Sequence, residues 1–377
     1  MAAIAVALPA PVAAVEVAPG VDWTSIVRES GPERINVLTV DPGLLHGVLS
    51  NERIAGRERV STMGRRVGAV AGVNGGYFGP SGDPVGALAI DGQVLSEPVG
   101  GRSALLVGAA AVAVAPLRFR GAVTINGVTR LIDGVDRTRG LVPACGGRGG
   151  DVPTSRPNAA LTCTDASELV LLSPSYGARP PREGGVEVVL RDGTVARVRG
   201  PGTGPVPRDA LLLTGTGDAA RFLRNTALPR SRADVDLTLT GAGKALDLAQ
   251  HTLVVGGGPR LLRAGRVAVT ARTEGFAPPQ APAFFGTFVA GRQPRTLAGV
   301  SPDGSVLLVT VDGRRPGWSA GMTLPEAARL MRSLGARDAL NLDGGGSSTM
   351  TVRGEVVNRP SDRAGERAVS DGVYAIP

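Results

Sequence analysis

Between Ser305 and Met350 the chain reads, in order, as an apolar strand, a capped helix, a second apolar strand and a triple-glycine loop, and no other stretch restricts its fold as sharply. The first strand is SVLLVTVDG; the helix follows in MTLPEAARLMRSLGA. Thr323 stands as N-cap, Pro325 in the first turn and Glu326 three residues after the cap, the arrangement of a capping box. Leu324, Ala327, Ala328, Met331 and Leu334 form an apolar stripe at helical spacing, and Gly335 supplies a left-handed stop. DALNLDGGGSSTM is the second strand and its loop. Strand, helix and strand within about forty residues predict a crossover with both strands in one sheet. Asp312 and Asp343 then end their strands at carboxyl ends, each followed by glycine; on adjacent parallel strands they would share the rim where ligands bind.

Elsewhere short apolar runs are broken by X-Gly pairs of the kind that close hairpins: Asp91-Gly92, Asp192-Gly193, Ala264-Gly265 and Arg353-Gly354. DAARFLRN, 218–225, has a weaker helical pattern. The fold class expected is α+β: a large mixed, mostly antiparallel sheet with few helices and the strand-helix-strand crossover near the C-terminus. Residues 1–20 form an apolar leader ending near small residues, though without a basic start; 21–67 read as a strand-rich extension; 68–377 read as one domain with a loop insertion around 140–165. No other apolar run reaches membrane-spanning length.

A net charge of +8 raises the question of nucleic acid. The basic residues are nearly all arginines scattered singly or in pairs, and aromatics make up only 3% of the chain, so there is neither a basic run nor a stacking platform. Nucleic acid is therefore not an expected partner, whereas an anionic small ligand suits such a surface. Cys145 and Cys163, the only cysteines, flank a Gly/Pro/Asn-rich segment with no histidine beside them, which fits one disulfide in an exported protein better than zinc.

The three glycines 344–346, with Ser347 and Ser348, have two readings: a backbone nest for a phosphate or oxyanion, or a bulge beside a tightly packed strand. GVNGGYF places Asn74, Gly75 and Gly76 after an apolar run, and VVGGGPRLL does the same for Gly257 and Gly258, so several strand ends converge on one ligand. None matches a nucleotide-binding fingerprint or a P-loop. Histidine chemistry is confined to His46 and His251; His251 is a general-base candidate at a strand edge, a position that also suits a structural histidine. Asn341, Asp312 and Asp343 are oxygen ligands that leave room for Ca²⁺ or Mg²⁺, but no spacing demands a metal or other cofactor.

In order along the chain, NGGYF (74–78), LVLLSPSYG (169–177), GGGPRLLRAG (256–265), PRTLAGVSPDG (294–304), the 309–350 block and RAVSDGVYAIP (367–377) resemble the phosphodiester glycosidase family. The resemblance implies a secreted hydrolase that cleaves the glycosidic bond of a sugar-1-phosphodiester or related wall glycan. It implies site roles for Asn74, Gly75, Gly76, Gly257, Gly258, Arg295, Thr296, Asp312, Asn341 and Asp343, with Gly344, Gly345, Ser347 and Ser348 on the loop. Arg295 and the loop would meet the phosphate, and Asp343, then Asp312, the anomeric carbon. The alternative is a non-catalytic carbohydrate- or wall-binding domain on the same fold.

Overall fold

A computed structural model of the chain describes residues 14–377 apart from 30, 109–110, 141, 144–151, 154–161 and 279–280. The strands that build the site are, in chain order, β1 (Glu33–Val40), β2 (Ala71–Asn74), β3 (His251–Gly256), β4 (Arg260–Arg263), β5 (Arg295–Val300), β6 (Val306–Val311), β7 (Asp338–Asn341), β8 (Met350–Val352) and β9 (Asp371–Ala375). One eight-stranded sheet runs Val15–Ala18, Val21–Arg28, β1, β6, β5, β7, β4, Arg266–Val267. A five-stranded sheet runs Glu355–Val356, β8, β2, β9, Leu45–Leu49. In a second eight-stranded sheet, β3 lies between Ser103–Gly108 and Leu88–Ile90. The class is α+β and mostly antiparallel, with the strands divided among several sheets rather than gathered into a single large one.

The crossover is present, with a modification. β6 and β7 do share a sheet and run parallel to each other, but β5 lies between them and pairs antiparallel with both. The connecting helix, Leu324–Ser333, has the expected reciprocal cap: Thr323 Oγ1 accepts from the Glu326 N–H, and a Glu326 carboxylate oxygen accepts from the Thr323 N–H. Its stripe (Leu324, Ala327, Ala328, Met331) is sealed against Leu297, Leu307, Val309 and Ala339, and each large side chain so buried contributes roughly 1.5–3 kcal/mol. Gly335 takes φ +92°.

All four expected hairpins form, with positive φ at both central residues, as type I′ turns require: Asp91 and Gly92 (47°, 80°), Asp192 and Gly193 (50°, 69°), Ala264 and Gly265 (48°, 75°), Arg353 and Gly354 (51°, 81°). The weak helix is real and spans Gly217–Thr226. Within the expected insertion, Val142–Pro143, Val152–Pro153 and Thr162–Thr164 make a three-stranded sheet. Cys163 is buried in it; the Cys145 partner, and with it the pairing, lies outside the described residues. Among the described residues no helix is long and apolar enough to cross a membrane.

Candidate active site

The site gathers where β2, β7 and β9 meet at the triple-glycine loop. Asn74 ends β2 and is 1% exposed. Its Nδ2 donates to the Asp343 carbonyl (2.8 Å), while its Oδ1 accepts from Thr296 Oγ1 (2.8 Å) and from the Thr349 N–H (3.2 Å). One amide therefore holds both ends of the loop. Thr296 is wholly buried and occupied by that bond, a placement that fits a positioning role and not the expected contact with substrate.

Asp343 is half-buried at the loop entrance and accepts the Gly344 N–H at 2.9 Å. Burial pushes its carboxyl up to about 6 from 3.8; the nearby Ser347 hydroxyl, Arg367 and the Gly344 N–H act against that shift, and Asp371 adds to it. The Ser347 hydroxyl lies close enough to favour the carboxylate charge without forming a well-aligned hydrogen bond. Ser347 Oγ, Ser348 Oγ, Thr349 Oγ1 and Asn341 Oδ1 are all buried with no hydrogen-bond partner among the described residues. Unpaired buried polar atoms are uncommon in folded proteins, so their concentration in nine residues makes this stretch the candidate site.

The three glycines are needed for three different reasons. A Cβ on Gly344 would stand 2.9 Å from the Pro294 carbonyl oxygen. Gly345 takes φ +63°. A Cβ on Gly346 would fall 2.1 Å from Asp362 Oδ1 and 2.3 Å from an Arg367 nitrogen. The nest reading is altered by the hydrogen bonds inside the loop: the N–H groups of Gly344, Gly345, Ser347 and Ser348 already donate to Asp343 Oδ1, Pro294 O, Gly344 O and Gly345 O. Among the described residues, only the Gly346 N–H of these five lacks an acceptor.

Gly75 and Gly76 lie against Asp371 on β9. Its Oδ1 accepts the Gly76 N–H at 3.0 Å, and a Cβ on Gly75 would sit 1.8 Å from that oxygen. Burial raises the Asp371 carboxyl above its usual range, with the Ser370 hydroxyl and the Gly76 N–H opposing. Tyr77 bridges toward the second glycine motif, donating to the Gly258 carbonyl (2.7 Å) and accepting from Asn341 Nδ2 (2.8 Å). Its phenol is raised, first by burial and then by the charge of Asp343. Gly257 and Gly258 pack backbone to backbone on β7: the Gly258 N–H donates to the Asn341 carbonyl at 2.7 Å, and a Cβ on Gly257 would meet that oxygen at 2.4 Å.

Three expected site residues are placed differently. Arg295 is 1% exposed; its Nε donates to the Met322 carbonyl and one terminal nitrogen to the Phe288 and Gly291 carbonyls, which fits a strut more than a grip on phosphate. Burial pushes its guanidinium down to about 10. Asp312 is equally buried, and its carboxylate accepts from Trp318 Nε1 (2.8 Å), Asn358 Nδ2 (3.0 Å) and the Arg359 N–H (3.0 and 3.1 Å). It anchors the loop after β6, and β5 stands between its strand and that of Asp343. His251 begins β3, five residues before Gly256, so strand geometry sets it roughly 17 Å from the glycine motif. Its Nδ1 lies 2.9 Å from the Asp247 carbonyl oxygen, a local contact.

Sequence reasoning passed over Tyr77, Arg314, Arg367 and Asp371, although each lies inside a motif already singled out. The available signal was rarity for Tyr77, one of three tyrosines, and for Asp371 an acid set in an otherwise apolar strand. No group of three or more His, Cys, Asp or Glu side chains is arranged to hold a metal among the described residues.

Comparison with known proteins places this geometry. A mouse N-acetylglucosamine-1-phosphodiester alpha-N-acetylglucosaminidase is 36% identical over 78 residues, 21% of this chain and 15% of that protein. An uncharacterized SPbeta prophage-derived protein of Bacillus subtilis is 42% identical over 80 residues, 21% of this chain and 12% of its own length. The chain thus spans under a fifth of either relative. Over nearly the whole fold it superposes on the crystal structure of an exported-protein candidate from Burkholderia pseudomallei K96243, with TM-score 0.81, 34% identity and coverage of 92% of this chain and 74% of that one. A hypothetical protein from Synechocystis shares the fold at TM-score 0.74 and 21% identity, over 97% of this chain and 63% of its own. The phosphodiester glycosidase family model, a hydrolase family, matches residues 184–376, which contain Gly257, Asp343, the glycine loop and Asp371. With about half of its length matched and the loop acids inside that half, the chain belongs to the phosphodiester glycosidase family.

Proposed function

We propose that the chain is an exported hydrolase that cleaves the bond between a sugar's anomeric carbon and a phosphodiester oxygen. Water oxygen joins the anomeric carbon as that bond breaks, and the bonding pair leaves with a phosphomonoester. Asp343 carries the reading: a half-buried carboxyl poised near 6, beside a glycine loop whose neighbouring hydroxyls have no hydrogen-bond partner among the described residues. Ionised, it stabilises the positive charge that develops on the sugar ring; a phosphate is a good leaving group and needs little acid assistance. Tyr77 and Asn341 hold the floor of the site, and Asn74 fixes the loop. N-acetylglucosamine is the sugar favoured, from the name of the mouse relative. Residues 1–20 as a leader and a Cys145–Cys163 disulfide belong to the same reading, with 68–377 as the working domain.

The test is turnover of UDP-N-acetylglucosamine and of the 4-nitrophenyl glycoside of the same sugar by the wild type and by Asp343→Asn. Release of free sugar by the wild type, with a loss of at least about 10³-fold in the variant, is the expected outcome. Glycan binding without turnover, indifferent to the substitution, would establish a carbohydrate-binding domain instead.

A further inference from the structure

We infer that Arg314 is the residue that grips the phosphate of the substrate and sets the preference for charged over neutral glycosides. The inference rests on the reading of the site as a phosphodiester glycosidase. With four of the five loop N–H groups from Gly344 to Ser348 already donating within the protein, the backbone alone is a weak anion site and a cation must come from elsewhere. Of the arginines close to the loop, Arg367 is neutralised by a two-bond pair with Asp362 (2.8 and 3.0 Å), and Arg295 is buried among carbonyls. Arg314 differs from both. It is exposed, its Nε donates to Gln293 Oε1 at 2.6 Å, and both terminal nitrogens lack a hydrogen bond or carboxylate among the described residues.

Its position is also built. The guanidinium fork is centred over Gly345: a Cβ there would stand 3.3 Å from each terminal nitrogen and 3.6 Å from Cζ. Arg314 itself takes φ +57°, a backbone conformation that side chains rarely adopt. Gly313 before it is wedged against Pro294 and Gly321, and Asp312 before that is tied by its four hydrogen bonds. A strained, anchored backbone that presents a free planar fork over the glycine loop is suited to bidentate capture of two phosphate oxygens. Glycine at 345 leaves the space this fork occupies.

Arg314→Met keeps length and removes charge; Arg314→Lys keeps charge and removes the fork. In the full chain, the ratio of kcat/KM for UDP-N-acetylglucosamine to that for the 4-nitrophenyl glycoside should fall about tenfold or more in Arg314→Met, carried by KM, with Arg314→Lys between. Calorimetric titration of UDP-N-acetylglucosamine into Asp343→Asn with and without Arg314→Met reads the same grip without turnover. A tenfold weakening sustains the inference even if the hydrolase reading fails for want of turnover. An unchanged ratio or an unchanged affinity overturns it, and no binding to the Arg314-intact protein overturns both readings. A thermal melt matching the wild type shows that Arg314→Met is folded.

Discussion

At the scale of single residues, Asp343 couples function to stability with opposite signs. Its folded carboxyl, near 6, lies above the unfolded value of 3.8, so the native state binds the proton more tightly. Its contribution to stability is full below about pH 4 and is lost as pH rises through 6. Asp343→Asn should therefore melt with the wild type near pH 4 and above it at pH 7–8, even though activity is lost; differential scanning calorimetry across that range checks it. On the proposed mechanism, in which the ionised form works, the same group should give kcat/KM of the wild type an ascending limb centred near pH 6. A flat profile from pH 5 to 8 would remove Asp343 from the chemistry. Sequence made Asp343 and Asn74 visible because each stands beside glycine at a strand end, and Asn341 because it lies two residues before Asp343 in the same motif. It could not tell which way Arg295 and Asp312 face: strand position fixes a rim, while the partners that turn them inward, such as Asn358 and the Met322 carbonyl, lie 46 and 27 residues away.

Among elements, the legible ones obey local rules. X-Gly pairs dictate positive φ and so close hairpins, and the Thr323–Glu326 box starts the helix whatever surrounds it. What local rules leave open is which strand comes between: β5, remote from the crossover in pattern, inserts between β6 and β7 and separates Asp312 from Asp343. The loop that follows β6 then becomes an element in its own right, hung on Asp312. Asp312→Ala strands the partly buried Trp318 N–H, the buried Asn358 amide and the Arg359 N–H. A loss of about 3–5 kcal/mol is expected, read as a lowered midpoint in urea. A loss under about 1 kcal/mol would mean the loop is held by other contacts.

For the molecule as a whole, glycine lets a large side chain lie flat on its own sheet. Tyr374 on β9 is fully buried, and its ring lies across β2 and β9 where a Cβ on Gly72 or Gly372 would sit 2.2 or 2.5 Å away. Gly72→Ala should accordingly cost more than ordinary overpacking, about 3 kcal/mol or beyond, and lower the melting temperature although it touches no site residue. Aromatic scarcity in the composition signals an aliphatic core; it gives no notice that one tyrosine would be seated on paired glycines.

The position of β2 has a consequence for how the protein comes into being. Both its neighbours, β8 and β9, come from residues 350–375, more than 270 positions beyond β2 in sequence. Asn74 therefore waits without its clamp until residues more than 270 positions further along the chain have been made. A nascent or C-terminally trimmed chain can form the local hairpins, yet it has no seat for β2 and no fixed glycine loop. Such long-range pairing is slow to nucleate, so on refolding the far-ultraviolet signal should recover before enzymatic activity. Competence in this molecule arrives with β8 and β9.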